Sequence, residues 1–436
     1  MASVAAPAQE WGRDAEFDVT PVAGGTRVVT VPLAGRPSVA IAFMVAVGSR
    51  YEPVEKSGIS HFVEHMVFKG AGRYPTPRDI SETIEGVGGV LDAATDREAT
   101  VFWTRVPASE LERAVSVLSD MLLRPLLAPE DVVKERQVVI EELRMYQDNP
   151  QDYAQIVFDE VMWPDSPLGR DVAGSEETVR SFTAEDCRAH MAAHVRPDNL
   201  VVSVAGGVEA AYVTDVIARQ LGGWAEQPSS PRPRAEPATP PHGDSLRVMR
   251  RSVEQASVIV GARAPSYLDP DRFAVDIVNV VLGEGMSSRL FLELRERRGL
   301  VYDVHSFVSR LSDSGVLGVS FGAEPRHAAT ALKAAVHELH RMADEPVGDA
   351  ELSKAREYAK GRLQLHLEGT SALCEYAGQQ LLLTDQILLP GEIVARYDAV
   401  TAHDVQEAAR GVLNGGLRCV IVGPFKAETR FVAALS

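Results

Sequence analysis

The spacing of apolar and polar positions divides the chain into segments of two kinds. Residues 26–32 and 39–47 are short apolar runs on either side of Gly35-Arg36-Pro37, and they read as two strands. The second run holds nine consecutive apolar residues, well short of the ~18 that a membrane span requires, so it reads as a buried strand. Residues 50–56 are polar and include Pro53, which makes them a loop. Ser57 is placed to cap the helix that follows and Gly70 to close it, a helix of about 12 residues. A short helix is expected over 78–85, ended by Gly86-Val87-Gly88-Gly89. A hairpin follows, with strands over 90–95 and 99–106 flanking Asp96-Arg97-Glu98. Leu111–Leu123 has the helical period. Pro129 opens a longer helix running to about Gln147, with Glu130 and Asp131 favourable at its positive end. Further helices are expected over 153–161 and 184–194.

The pattern then repeats. Thr183-Ala-Glu-Asp186 opens a helix that leads to Leu200-Val-Val-Ser-Val-Ala-Gly206. Thr401-Ala-His-Asp404 opens a helix that leads to Leu417-Arg-Cys-Val-Ile-Val-Gly423. Both openings have the Thr-x-x-Asp form of a capping box. The caps are offset by 218 residues and the final glycines by 217, half the chain of 436. Between the copies, residues 226–243 contain six prolines and read as an extended, semi-rigid linker. The expected architecture is α+β, a tandem duplication of one unit with a mostly antiparallel sheet packed by helices. Its parts are a loose tail over 1–17, a first domain over 18–225, a Pro-rich linker over 226–245 and a second domain over 246–436.

Composition narrows the function classes. Apolar residues make up 45% and charged residues 24%, which is ordinary for a soluble globular protein. A formal charge of −17 argues against nucleic acid as a partner. The N-terminal residues have neither the basic start nor the apolar stretch of a secretory signal. Cys187, Cys374 and Cys419 are odd in number and far apart, so reduced thiols in a cytoplasm are expected rather than a disulfide framework.

The candidate chemistry lies in His61-Phe-Val-Glu-His65, inside the helix after Ser57. Histidines four apart share one helix face, so both imidazoles can reach one ion. Glu64 can lean toward the same point as a general base. Two nitrogens need a third protein ligand, and the helix from Pro129 offers Glu130, Glu135, Glu141 and Glu142. Glu135 and Glu142 lie two turns apart on one face, which suits a ligand and a residue that orients a ligand histidine, while spacing alone leaves Glu141 open. His190 and His194 have the same spacing but no Glu in between, and they read as structural, with partial positive charge favourable in a last helical turn. His337-Glu-Leu-His340 has the wrong spacing and reads as an exposed face.

The run His61-Phe-Val-Glu-His-Met-Val-Phe-Lys-Gly70 resembles the signature of the inverzincin metallopeptidases, relatives of pitrilysin, insulin-degrading enzyme and the mitochondrial processing peptidase β-subunit. The family's third ligand lies about 77 residues after the second His, which falls on Glu142, and its second important Glu falls on Glu135. Gly88-Gly-Val-Leu-Asp-Ala-Ala-Thr95 is similar to the family's substrate-pairing edge strand, which implies substrate contacts at Asp92, Ala93 and Thr95. Residues 283–291 and 294–302 resemble the family's C-terminal half, where its substrate-gripping Arg and Tyr fall on Arg295 and Tyr302. Arg295 also fits a solvated helix face, and Tyr302 a core aromatic. The family often has Asn where this chain has Asp92, a carboxylate expected to bring further negative charge toward Glu64 and the metal.

The resemblance implies a zinc-dependent endopeptidase. His61, His65 and Glu142 hold one Zn²⁺ (Mn²⁺ or Co²⁺ being acceptable to the same donors), and Glu64 deprotonates the attacking water. The peptide lies extended along residues 91–95, and Phe68 is a candidate pocket wall. Family members that work as one chain have four such units and this chain has two, so two chains are expected to enclose one chamber that admits unstructured peptides. A homodimer is simplest, and a heterodimer with a degenerate paralogue is the other arrangement. The rival function is a non-catalytic structural or peptide-binding subunit, which is expected to have lost ligands.

Overall fold

Two β-sheets, each backed by helices, carry the fold. The structure, a computed structural model, describes residues 16–226, 237–243 and 245–435. The expected tail before residue 16, and residues 227–236 and 244 of the expected linker, lie outside the described residues. In the first half, β1 (Asp18–Pro21), β2 (Arg27–Pro32) and β3 (Ser38–Val45) precede α1 (Ile59–Val67) and α2 (Pro77–Glu85). The hairpin of β4 (Val90–Thr95) and β5 (Thr100–Pro107) forms as expected. Five helices follow: α3 (Leu111–Leu123), α4 (Pro129–Asp148), α5 (Pro150–Met162), α6 (Glu176–Ser181) and α7 (Ala184–His194). β6 (Leu200–Gly206) and α8 (Ala210–Leu221) complete the half. The sheet order is β1-β2-β6-β3-β5-β4, with β2 and β6 parallel and β4 at a free edge.

The second half repeats this order. β7 (Leu246–Arg250), β8 (Ala256–Ala264) and α9 (Arg272–Gly283) are followed by the hairpin of β9 (Val301–Arg310) and β10 (Gly315–Ala323). Then come α10 (Ala328–Asp344), α11 (Asp349–His366), α12 (Thr370–Thr384), α13 (Pro390–Ala399) and α14 (Ala402–Asn414). β11 (Arg418–Gly423) and α15 (Thr429–Leu435) close it. The sheet order is β7-β11-β8-β10-β9, with β7 and β11 parallel. Without β1, each strand of the first sheet has a counterpart at the same place in the second. Both Thr-x-x-Asp sequences form capping boxes, Thr183 with Asp186 and Thr401 with Asp404.

The halves exchange one helix each. β3 alternates, so Val39, Ile41, Phe43 and Val45 join the core that contains α1 and α3, while Ala40, Ala42 and Met44 face the other way. That second face is covered by α12 of the second half, through Leu373, Cys374, Ala377, Leu381 and Leu382. Gly378 permits the approach, since a Cβ there would lie 2.6 Å from Met44 Sδ. In return α5 of the first half packs Val157, Phe158, Val161 and Met162 on Ile259, Val316, Val420 and Val422 of the second sheet. The two hairpin turns also lock together. The buried Arg50 donates to Glu98 Oε1 (2.7 Å) and to Asp313 Oδ2 (2.6 Å), and the Ser312 backbone N–H donates to Glu98 Oε2 (2.8 Å).

Candidate metal centre

The helix that carries the histidines starts differently from expectation. It is nine residues long, and Ser57 does not cap it. Gly58 occupies the cap position with φ +91°, where a Cβ would lie 2.4 Å from Ala173 O. The buried Glu52 carboxylate caps instead, accepting from the N–H groups of Gly58 and Ser60 at 2.7 Å each. An acceptor seven residues upstream of the first helical turn has no local spacing signal, which is why the serine misleads. The helix ends at Val67, ahead of Gly70. Ile59, Phe62, Val63, Met66 and Val67 are buried in the core, which leaves His61 and His65 on the uncovered side.

His61, His65 and Glu142 offer ligand atoms that all lie within 4.8 Å of one another. Glu142 Oε2 is 3.8 Å from His61 Nε2 and 3.5 Å from His65 Nε2. Donors about 2.1 Å from a tetrahedral ion stand about 3.4 Å apart, so the set fits Zn²⁺ in spacing and in chemistry. Glu141 is settled by its surroundings: it is exposed and paired with Arg144 at 2.7 Å. The buried Glu135 accepts from His65 Nδ1 at 2.9 Å, leaving Nε2 to face the other donors, and Lys69 Nζ lies 2.5 Å from its second oxygen. Tyr146, one turn after Glu142, donates to Glu142 Oε1 at 3.2 Å. Thr95, the last residue of β4, donates to Glu64 Oε2 at 2.6 Å. A cleft of about 280 Å³ adjoins the group, bounded by His61, Thr95, Glu142, Tyr146 and Asp152. The sequence reading did not include the contacts of Lys69 and Tyr146 or the Thr95–Glu64 bond. Tyr146 and Lys69 each had a sequence signal, a helical spacing of four from Glu142 and from His65.

The charges are set by burial and by these bonds. Burial and the neighbouring His65 push His61 down to about 4, against the pull of Glu142. Burial opposes charge on His65 too, yet the bond to Glu135 and the carboxylate of Glu142 raise it overall. Glu135 is held below the usual carboxylate range, because the bonds from His65 and Lys69 outweigh its burial. Burial raises Glu64, with the Thr95 bond working the other way. Burial thus disfavours charge on one imidazole, and an anion orients the other.

The remaining candidates fall into three places. Leu91 and Ala93 pack on the α1 side of the sheet with Phe68, which is half-buried. Asp92 pairs with Trp103 and is exposed on the opposite face, and its negative charge still acts to raise Glu64, as expected, after burial, the Thr95 bond and the charges of His65 and Glu142. Tyr302 is no core aromatic, being 76% exposed. The Arg295 guanidinium stacks on Tyr302 (5.0 Å) and on Phe291 (4.8 Å) in a π-helical segment, Phe291–Arg297. No hydrogen bond or ion pair among the described residues joins Arg295 or Tyr302 to the α1 group. The rings of His190 and His194 lie 4.6 Å apart, tilted by 43°. The favourable-charge account of them is corrected, since burial and His194 push His190 down to about 3 and burial and Arg196 lower His194. Both are neutral. His337 and His340 are exposed as expected, but Glu338 between them is buried and pairs with Arg341.

Known proteins resemble this chain in sequence and in fold. Residues 27–176 match the family described as Insulinase (Peptidase family M16), and residues 181–358 match the Peptidase M16 inactive domain. An uncharacterised zinc protease of Streptomyces coelicolor is 36% identical over 415 residues, spanning 93% of this chain and 89% of that protein. A protease from Helicobacter pylori is 23% identical and superposes with a TM-score of 0.88, covering 94% of this chain and 100% of its own. A peptidase M16 inactive domain from Pseudomonas fluorescens is 18% identical with a TM-score of 0.87, covering 94% of this chain and 98% of its own. The last two likenesses are of fold. No helix among the described residues is long and apolar enough to cross a membrane.

Proposed function

The chain belongs to the M16 family of peptidases, the insulinase family, and from that premise we propose that it is a zinc-dependent endopeptidase acting on unstructured peptides. The observation that carries the proposal is the convergence of His61, His65 and Glu142 beside a carboxylate, Glu64, held by Thr95. His61 Nε2, His65 Nε2 and Glu142 Oε2 would hold the ion. When bound, zinc lowers the pKa of a coordinated water toward ~7 and polarises a peptide carbonyl. Glu64 takes the proton of the attacking water and passes it to the leaving amine. The Thr95 hydroxyl occupies Glu64 Oε2, so Oε1 is the oxygen left for that proton. Glu135 fixes the tautomer of His65, and Lys69 keeps Glu135 charged.

The peptide adds a strand to the free edge of β4, with main-chain pairing that tolerates many sequences. Asp92, Ala93 and Thr95 contribute that edge, and Phe68 walls a pocket on the metal side. Residues 18–225 supply the catalytic domain and residues 246–436 the substrate grip, across the linker 226–245. Arg295 and Tyr302, an exposed stacked pair, hold the substrate carbonyl in the site of a second copy, so the working unit is a homodimer around a closed chamber. Three buried free cysteines suit a reducing cytoplasm.

The test is the Glu64→Gln variant beside wild type, assayed on unstructured peptides with and without chelator. A drop of about 10²–10⁴-fold in the variant is expected, together with loss of wild-type cleavage on chelation. Equal cleavage by both, or indifference to the chelator, would sink the mechanism and leave the non-catalytic subunit as the better account.

A further inference from the structure

The metal helix covers one face of the first sheet, and the other face borders a cavity of about 380 Å³ between the halves. Its walls are Met44 and Trp103 from the sheet, Leu311 from the second half, and Cys374 and Leu383 from α12. At its β4 end stand Ala94 and Asp96, both exposed. In β4 the pairing register puts Asp92 opposite Trp103 and Ala94 opposite Val101, on the cavity face, while Ala93 opposite Phe102 lies on the metal face.

Side chains of a paired strand alternate between the same two faces. A peptide added to β4 must therefore send every second side chain toward Phe68 and the metal, and the intervening ones past Ala94. We propose that this inter-half cavity is a substrate side-chain subsite, taking bulky apolar side chains from the alternate set and rejecting acidic ones. The inference rests on the strand-addition reading given above. The small Ala94 leaves the entrance open, and the inner wall is mostly apolar, with the indole of Trp103 and the phenol ring of Tyr267 among polar side chains such as Gln379. The acids around it have different fates. Glu98 is spent on Arg50 and Ser312. Asp96 and Glu375 are exposed at the rim, where they repel a substrate carboxylate. The one lining cation, Arg310, is turned to Asp276 at 2.6 Å. A cavity of this size is within the range of small-ligand sites, so one large side chain fits with room for water.

The experiment maps cleavage in a peptide library by wild type, Ala94→Phe and Trp103→Ala. Wild type is expected to favour Phe, Leu or Met over Gly by about 10-fold or more, and to select against Asp and Glu, at positions spaced by two along the peptide. Ala94→Phe, an exposed position that can take the ring without refolding, is expected to reduce that ratio at those positions and not at the intervening ones. Trp103→Ala is expected to shift the preference toward larger side chains. If wild type cleaves but neither variant changes any ratio, or the affected positions are adjacent, the subsite assignment is overturned while the peptidase reading stands. If wild type cleaves nothing, the peptidase reading itself fails, and the subsite with it.

Discussion

The two halves have one strand order and opposite uses for the helix behind it. In the second half, α9 follows β8 and is buried along nearly its whole length, from Phe273 to Gly283 apart from Asp276. It is enclosed by α10, α11, α13 and α14. In the first half, α1 occupies the matching place after β3, but its packed neighbours are α4, α7, β4 and β5, and His61 and His65 keep an open side. The difference extends to the next element. Where α11 buries Leu352, Ala355 and Ala359, its counterpart α4 buries Glu135 and brings Glu142 to the histidines. The candidate metal site thus needs no new topology. It needs one helix left uncovered on one side, and a buried carboxylate whose charge is matched by Lys69 and His65, since an unmatched buried charge costs several kcal/mol.

The halves are equivalent in fold and depend on each other through α5 and α12. Phe158→Ala empties a fully buried position against the second sheet, at a cost of about 3–5 kcal/mol. Leu381→Ala does the same against the first sheet, at about 2–5 kcal/mol. Each is expected to lower one common unfolding transition, read by calorimetry. Two separated transitions, with each variant shifting only one, would break the claim of mutual dependence.

A smaller effect sharpens the equivalence. Thr183→Ala and Thr401→Ala each remove a capping hydroxyl worth about 1 kcal/mol, and they should cost similar amounts. The bonds from Thr401 hold Asp404 below its ordinary value. Asp186 is also low, because Lys56 and Thr183 outweigh its burial. A depressed folded pKa gives stability that is full above the unfolded value of 3.8 and is lost as pH falls through the folded one. The destabilisation by either variant is therefore expected to be largest above pH 4 and to shrink below it, as measured by denaturant unfolding across pH. A gap that grows on acidification would contradict the capping geometry.

Much of this was legible because its signals are local. The Thr-x-x-Asp boxes, the hairpin at Asp96-Arg97-Glu98 and the i, i+4 histidines all announce themselves within a few residues. The position of Glu142 came from family resemblance, and the structure distinguishes it from Glu141 by the ion pair of the latter with Arg144. What the sequence hid is long-range. Glu52 replaces Ser57 as the cap, Thr95 reaches Glu64 across 31 positions, and α5 and α12 cross to the other half's sheet. A periodic pattern reports that a helix face is apolar, not which sheet will cover it.

The central claim is that one chain's metal residues work with the Arg295 and Tyr302 of another. Co-expression of a Glu64→Gln chain with an Arg295→Ala, Tyr302→Ala chain tests it most directly. Each variant alone is expected to be nearly inactive. In a two-fold dimer with random pairing, half the dimers are mixed and one of their two sites is intact, so the co-expressed pair should recover about a quarter of the wild-type rate on an unstructured peptide. A mixture no more active than its parents, or an Arg295→Ala, Tyr302→Ala chain that cleaves as wild type does, would contradict it.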